Sequence, residues 1–237
     1  MRASKSNESR ITLLRRTAKE VRDYRVKRKF IAIILVALIF VTAVLYVVAV
    51  LYKKSGSFTV SVDKYDMMTY GLTLSESREL THKTSHLYAK IEEKMTNISG
   101  KIIPDNVDMI DGEHNGRDYI AYTFYAQNAG EQKLAYDYTV MISNVTNNLD
   151  EAIRLRLYVD GEDTTYAKTK SDGTGAEPGT TEFYSDTVMA AGRIPELEAG
   201  KCNKYTLVIW IEGNDPDCID WLIGGKMKVE MTLSVVH

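Results

Sequence analysis

The sequence predicts a mainly β protein, in which an extracytoplasmic antiparallel β-sandwich of jelly-roll type follows a single transmembrane helix. Three observations predict this class. Residues 30–52 form an unbroken apolar run, the charges are divided unevenly on its two sides, and apolar and polar residues alternate repeatedly further along the chain. The predicted parts are a basic cytoplasmic arm over residues 1–29, a transmembrane helix over residues 30–52 and a β-sandwich domain over residues 53–237.

The predicted span runs from Phe30 to Tyr52 and contains no Asp, Glu, Lys or Arg. A helix rises about 1.5 Å per residue, so this length covers about 35 Å and crosses the roughly 30 Å hydrocarbon core with some tilt. A cleavable signal peptide is the alternative, but its apolar part is usually about 7–15 residues long and ends at a small-x-small site. Ala49 and Leu51 make a poor site of this kind. We therefore favour an uncleaved anchor.

The charge distribution predicts how the chain is oriented in the membrane. Residues 1–29 carry eleven Lys or Arg and three acids, a net charge of +8, whereas residues 53–237 carry 19 bases and 29 acids, a net charge of −10. Because basic flanks remain on the cytoplasmic side, the arm is expected inside the cell and the β domain outside. The arm would lie against anionic lipid or serve only as a topology signal. It has one aromatic residue, Tyr24, and no folded platform, so nucleic acid is not an expected partner.

Alternating apolar and polar residues predict about eight to ten short strands in the β domain. The alternation begins at Phe58, Val60 and Val62, soon after the predicted span. It is clearest over residues 118–128, 136–145, 153–159, 204–211 and 226–236. The pair Asp160-Gly161 is a tight-hairpin signal. Short strands at this spacing are typical of an antiparallel sandwich, and a domain of this size buries an adequate core without disulfides.

The remaining segments give weaker patterns. Apolar residues recur near helical spacing from about Thr84 to Lys94, which predicts a short helix there. Met68–Leu74 and Ile98–Ile103 are predicted to be extended, and Pro104 ends the second of them. The glycine-rich segment Ser171–Thr181 is predicted to be a flexible loop.

Two histidines have the spacing of a metal-binding pair. His82 and His86 stand four residues apart, which on a helix would place both side chains on one face, as two zinc ligands require. Lys83 follows His82, so the H-E-x-x-H motif is absent and a third ligand would have to come from elsewhere. We favour the simpler interpretation that both histidines face solvent.

The densest group of carboxylates lies in the segment GNDPDCID at residues 213–220. Its possible oxygen ligands for a calcium ion are Asn214, Asp215, Asp217 and Asp220. Calcium is the one cofactor that the sequence suggests. The spacing does not match an EF-hand, and Asp-Pro is a common turn former, so we favour a solvated or backbone-capping turn and keep calcium as the alternative.

Cys202 and Cys218 are the only cysteines, and both fall in the predicted exterior domain. An even pair outside the cell suggests a disulfide. The bond would require the loop after the predicted strand Lys204–Ile211 to fold back along it, because bridged Cα atoms lie within about 7 Å. Neither cysteine has the neighbours of a catalytic thiol, and the sequence contains no G-x-S-x-G, Walker or Rossmann motif.

Three segments carry a resemblance to known proteins. Gly56–Glu76, Asp111–Gly130 and Lys204–Leu233 resemble single-pass surface proteins of Gram-positive bacteria, mostly uncharacterised, and more distantly the TasA/camelysin group of secreted jelly-roll proteins. TasA-like proteins build biofilm fibres, in which the N-terminal strand of one subunit completes the sheet of the next. The resemblance implies Phe58, Val60 and Val62 as residues for strand exchange, with an ordinary edge strand as the alternative. Camelysin is described as a metalloprotease, but this chain carries no recognisable zinc motif.

These observations predict a non-catalytic protein. The expected role is a membrane-anchored surface domain with structural or interaction duties, including a matrix or fibre component. Its expected partners are membrane lipid and either a second copy or another surface protein. One alternative is a metal-dependent surface hydrolase that uses His82, His86 or the loop Asp215–Asp220. The other is a single-pass sensor or scaffold whose basic arm makes the inner contact.

Overall fold

A computed structural model describes residues 22–46, 58–89 and 95–236 of the chain, which divides into two units, Met1–Ser55 and Gly56–His237. The first unit contains helix α1 (Arg22–Tyr46), which is long and apolar enough to cross a membrane. An N-terminal signal sequence would have the same property. The helix begins within the predicted basic arm, and residues 1–21 and 47–52 of the predicted arm and span lie outside the described residues.

The second unit is built mainly of strands, which confirms that the domain is mainly β. Its described part contains one short helix, α2 (Lys64–Tyr70), and single 3-10 turns at Gly100–Ile102, Val107–Met109, Leu149–Glu151 and Asp220–Leu222. The strands are β1 (Phe58–Val62), β2 (Leu72–Ser75), β3 (His86–Ala89), β4 (Gly112–Glu113), β5 (Tyr119–Asn128), β6 (Leu134–Val145), β7 (Ile153–Val159), β8 (Glu162–Ala167), β9 (Thr181–Glu182), β10 (Val188–Leu197), β11 (Cys202–Ile211) and β12 (Met227–Val235).

The strands form two mixed sheets. Sheet A has the order β10-β6-β12-β1-β3, and sheet B has the order β2-β5-β11-β7-β8-β9, with β4 also paired to β5. Most neighbours are antiparallel, but β1 runs parallel to β12 and β9 runs parallel to β8. The predicted antiparallel arrangement therefore holds for most strand pairs but is wrong for these two. The first and last strands pair in parallel although they are far apart in the sequence. No local turn signal can therefore predict this pairing.

The hydrophobic core lies between the two sheets. Phe58 of sheet A meets the edge of Tyr122 of sheet B, with 5.7 Å between the ring centroids. Tyr136 on β6 and Tyr205 on β11 join the sheets through their hydroxyl groups, which lie 2.9 Å apart. Burial raises the pKa of both phenols, so they remain neutral hydrogen-bonding groups. The tyrosine-rich strands thus supply packing and cross-sheet hydrogen bonds.

Helix α2 replaces part of a segment that was predicted to be extended. Asp63 caps its N-terminus, since a carboxylate oxygen accepts from the N–H of Tyr65 at 2.7 Å. Gly71 ends it in the left-handed conformation with a φ of 79°, and its N–H donates to the carbonyl of Met67. The prediction for Met68–Leu74 is therefore correct only from Leu72, where β2 begins.

Two further local predictions are wrong. The helix expected from Thr84 to Lys94 is replaced in its described part by β3, because sheet A buries the alternate residues Leu87 and Ala89 against β1. Residues 90–94 lie outside the described residues. The extended segment expected at Ile98–Ile103 makes one bridge, from Ile98 to Glu212, and then turns into a 3-10 helix.

Strand β1 lies inside its sheet, between β12 and β3. The alternative that it is an ordinary edge strand is therefore wrong, and β3 occupies that edge. The side chains of Phe58, Val60 and Val62 all face the core and are buried. Exchange of this strand between copies stays a prediction.

The two sheets share one end, here called the base. Strands β1 and β12 both begin at the base because they run parallel, with Phe58 opposite Val229. Strands β6 and β11 end there and β7 begins there, as their antiparallel registers require. The base therefore contains the connections 146–152, 168–180 and 212–226. The opposite end, here called the far end, contains α2 and the β7–β8 hairpin.

Candidate functional site

A cleft of about 440 Å³ opens at the base of the β domain. The end of β11, the start of β7 and the connections at the base supply its walls. Its charged lining residues are Lys101, Asp105, Arg154, Arg156, Glu177, Glu212 and Asp215. The concentration of buried charge makes this cleft the candidate site.

A buried arginine holds the cleft together. Nη2 of Arg154 lies 2.5 Å from Oδ2 of Asp215 and 3.9 Å from Oε2 of Glu177. All three side chains are buried, and buried charges are tolerated only when they are paired and hydrogen-bonded. Arg154 thereby ties two connections of the base to the start of strand β7.

Glu177 has fewer polar partners than Arg154 and Asp215. Its Oε1 is buried and has no hydrogen-bond partner among the described residues. Burial, together with the negative charge of Asp215, raises the pKa of the Glu177 carboxyl. The group therefore favours either a proton on Glu177 or a further positive charge beside it.

Asp217 completes a group of three carboxylates. One oxygen each from Glu177, Asp215 and Asp217 lie within 4.8 Å of one another. Asp217 also accepts from Ser171, at 2.6 Å from the hydroxyl and 3.2 Å from the backbone N–H. Oδ1 of Asp215 accepts from the N–H of Asp217 at 2.8 Å, which fixes the Asp-Pro-Asp turn. Carboxylate oxygens are the kind of hard ligand that a divalent cation takes, and three of them are part of the set that such an ion requires.

The structure changes the predicted calcium ligands. It brings Asp215 and Asp217 together, but Asn214 instead hydrogen-bonds to Glu212, and the exposed Asp220 begins a 3-10 turn outside the group. The sequence reasoning missed Glu177, which lies in the segment predicted to be a flexible loop. No local motif identifies it, because only the fold brings that loop to Asp215. Calcium binding stays a prediction, with an altered set of ligands.

A tryptophan forms another wall of the cleft. The indole N–H of Trp210 and the backbone N–H of Gly100 both donate to Oε2 of Glu212 at 2.9 Å. Burial alone would raise the pKa of Glu212, but these hydrogen bonds bring it below its usual value. The guanidinium of Arg156 lies 5.3 Å from the centroid of the Trp210 ring. The ring is buried by these neighbours and is not free to stack on a ligand.

The two histidines do not have the arrangement on one helix face that a metal pair would require. His86 lies on β3 and His82 lies in the connection before it, so no helix face joins them. Nδ1 of His86 instead lies 2.9 Å from the hydroxyl of Ser85. This arrangement fits the solvent-facing interpretation, since both histidines are exposed.

The predicted disulfide is not formed in the structure. Cys202 begins β11 at the far end, whereas Cys218 lies in the 212–226 connection at the base, and both thiols are free. Sγ of Cys218 accepts from the side-chain amide of Asn97 at 3.2 Å. Burial raises the pKa of the Cys202 thiol, which keeps it in the unreactive protonated form.

Comparison with known proteins adds little. The chain matches no protein-family model and no curated protein. A solved β-glucosidase from Kluyveromyces marxianus in complex with glucose is similar at 10% identity and a TM-score of 0.23, over 68% of this chain and 15% of that chain. A selenomethionine-labelled β-glucosidase from the same organism gives 13% identity and a TM-score of 0.23, over 48% and 11% of the two chains. The chain thus spans only a small part of these enzymes, and similarity at this level carries no argument.

Proposed function

We propose that the protein is a membrane-anchored β-sandwich of jelly-roll type on the outer face of the cell membrane, with a structural or interaction role. The observation that supports this most is α1. The large apolar side chains that are exposed on it between Phe30 and Tyr46 have exposures of 45% to 71%. An apolar surface of this extent is stable only outside water, and a bilayer provides such an environment. The basic residues before it favour a cytoplasmic N-terminus.

The contacts of Asp215 and Glu212 in the cleft favour binding over hydrolysis by these two carboxylates. Asp215 is engaged by Arg154 and by the Asp217 backbone, and Glu212 accepts from Trp210 and Gly100. Carboxylates held in this way are poor bases. The hydrolase alternative would also need His82 and His86 on one face, whereas they lie on different elements.

Fractionation of cells that express the full chain tests the anchor. We expect full-length mass in the membrane fraction and digestion of the β domain by protease added outside intact cells. Replacing Leu38 and Ile39 by arginine should release the protein, because each charge at the centre of a span costs about 2.5–3.5 kcal/mol. A soluble species that begins near Ser55, or a β domain protected from external protease, would disprove the proposal.

A finer proposal is that copies assemble by exchanging β1, as in TasA-like fibres. Removal of β1 would open an apolar groove between β12 and β3, and the buried residues Phe58, Val60 and Val62 of another copy would fill it. Differently labelled full-length proteins, mixed at high concentration in detergent, should then form mixed oligomers. Persistent monomers would count against assembly while leaving the anchor intact.

A second candidate function is cation binding in the cleft, which the unpartnered Oε1 of Glu177 favours. Glu177, Asp215 and Asp217 would supply the ligands, with Arg154 competing for the same oxygens. We expect calcium to raise the unfolding temperature of the full-length protein in detergent. The rise should persist in Asp220→Asn and be lost in Glu177→Gln. An equal response in both variants, or none in the wild type, would contradict it.

A further inference from the structure

The connection between β11 and β12 exposes large apolar side chains in alternation. Ile219, Trp221 and Ile223 are 55%, 82% and 76% exposed, whereas Leu222 between them is buried in the core. The N–H of Leu222 donates to the carbonyl of Ile219 at 3.0 Å, so the backbone holds this arrangement. We call residues 219–223 the apolar loop. Exposed apolar side chains grouped in this way mark a contact surface.

The apolar loop lies at the base, where the chain enters the β domain. Strand β12 follows it and begins beside the start of β1, with Phe58 opposite Val229. The proposed span ends at Tyr52, so residues 53–57 connect the bilayer to β1. Five extended residues reach at most about 18 Å. Given the proposed anchor, the length of the chain therefore limits how far the start of β1 can lie from the membrane surface.

The chemistry of the loop fits the interface between lipid headgroups and acyl chains. Tryptophan and tyrosine collect there because their rings are apolar while one polar group remains hydrated. Tyr184, which precedes β10 at the base, is also exposed. Asp220 is exposed between Ile219 and Trp221, and its charge would keep the loop from entering the hydrocarbon core.

We infer that the apolar loop inserts Trp221 and its flanking isoleucines into the outer headgroup region of the membrane that holds the anchor. The inference rests on the proposed anchoring by α1. The occupant is the bilayer itself, because the proposed anchor and the maximum length of residues 53–57 limit how far this end of the domain can lie from lipid. The loop would give the β domain a second attachment and thereby a defined orientation on the membrane.

Fluorescence quenching tests the inference, because Trp210 and Trp221 are the only tryptophans and Trp210 is buried. Full-length protein is reconstituted into phosphatidylcholine–phosphatidylglycerol vesicles, with acyl chains either ordinary or brominated near the headgroup. Flotation of the vesicles reports the anchor separately. We expect brominated lipid to quench part of the wild-type emission. That part should be absent in Trp221→Ala and reduced in Ile219→Ser/Ile223→Ser.

A tryptophan at the far end provides the matched control. Met68 on α2 is also exposed, so Met68→Trp in the Trp221→Ala protein should give emission that brominated lipid leaves unchanged. A floating wild-type protein without quenching overturns the inference and leaves the anchor intact, and quenching that persists in Trp221→Ala also overturns it. Protection from acrylamide that rises with the protein-to-lipid ratio, without lipid quenching, would assign the loop to a second copy instead. Protein that fails to float overturns both proposals.

Discussion

Two arginine–aspartate ion pairs in the β domain have similar contact distances, but one is exposed to solvent and the other is buried. Arg193 and Asp137 form two hydrogen bonds, of 2.6 and 2.8 Å, with side chains 59% and 44% exposed. Arg154 and Asp215 form one contact of 2.5 Å, with side chains 5% and 0% exposed. Water can replace the partner in the exposed pair but not in the buried one. The number of hydrogen bonds is therefore a poor guide to what each pair contributes.

The pairs also differ in what they connect. Arg193 on β10 and Asp137 on β6 stand opposite each other in strands that are already paired by backbone hydrogen bonds. Arg154 instead reaches from β7 to two connections of the base that carry Asp215 and Glu177. The buried pair thus determines the shape of the cleft, while the exposed pair adds to an existing ladder.

The largest expected effect is that of removing Arg154. Arg154→Met leaves two carboxylates buried without their cation, so we expect a loss of about 3–5 kcal/mol in the free energy of unfolding. Chemical denaturation of the full-length protein in detergent measures it. The matched variant Arg193→Met should unfold close to the wild-type midpoint. Similar losses in the two variants would contradict the prediction that the buried pair contributes more to stability than the exposed pair.

A smaller effect is expected from the titration of Glu177. Its pKa is raised in the folded protein by burial and by Asp215, so the folded state favours the protonated form. The resulting stabilisation is complete below the unfolded pKa and is lost as the pH rises through the folded value. Each pKa unit by which the folded value exceeds the unfolded value corresponds to about 1.4 kcal/mol in the free energy of unfolding. With EDTA present, Glu177→Gln should match the wild type at low pH and be more stable at neutral pH. Parallel stability curves from pH 4 to pH 8 would contradict this.

The smallest effect is expected at the exposed pair. Hydrogen bonds from Arg193 lower the pKa of Asp137, so its stabilisation is present above the ordinary carboxyl pKa and is lost as the pH falls through the folded value. Asp137→Asn should lower the free energy of unfolding by at most about 1 kcal/mol at pH 7. Added salt should reduce this difference between variant and wild type, because it screens exposed charges. Unfolding midpoints at low and high salt test this. A loss that is independent of salt would mean that the pair is less exposed than its geometry indicates.

Local patterns were sufficient for several elements. The alternation over residues 204–211 corresponds to β11, and the Asp160-Gly161 signal lies between β7 and β8, where both residues have positive φ values of 53° and 92°. The hairpin could be predicted because its turn residues are adjacent in sequence. The helix expected near Thr84 failed because burial against β1 outweighs a weak helical spacing. The sequence predicted Asp215 and Asp217 as members of the candidate site, because they lie two residues apart, but it did not predict Glu177.

The sequence by itself determined an apolar helix long enough to span a membrane and a β-rich domain after it, because hydropathy and alternation are properties of consecutive residues. Only the tertiary structure decided that the first and last strands pair in parallel. Only the tertiary structure also placed Arg154 and Glu177 beside Asp215. The physical reason is that a buried charge must find an opposite charge nearby in space, and sequence spacing does not specify which residue that is.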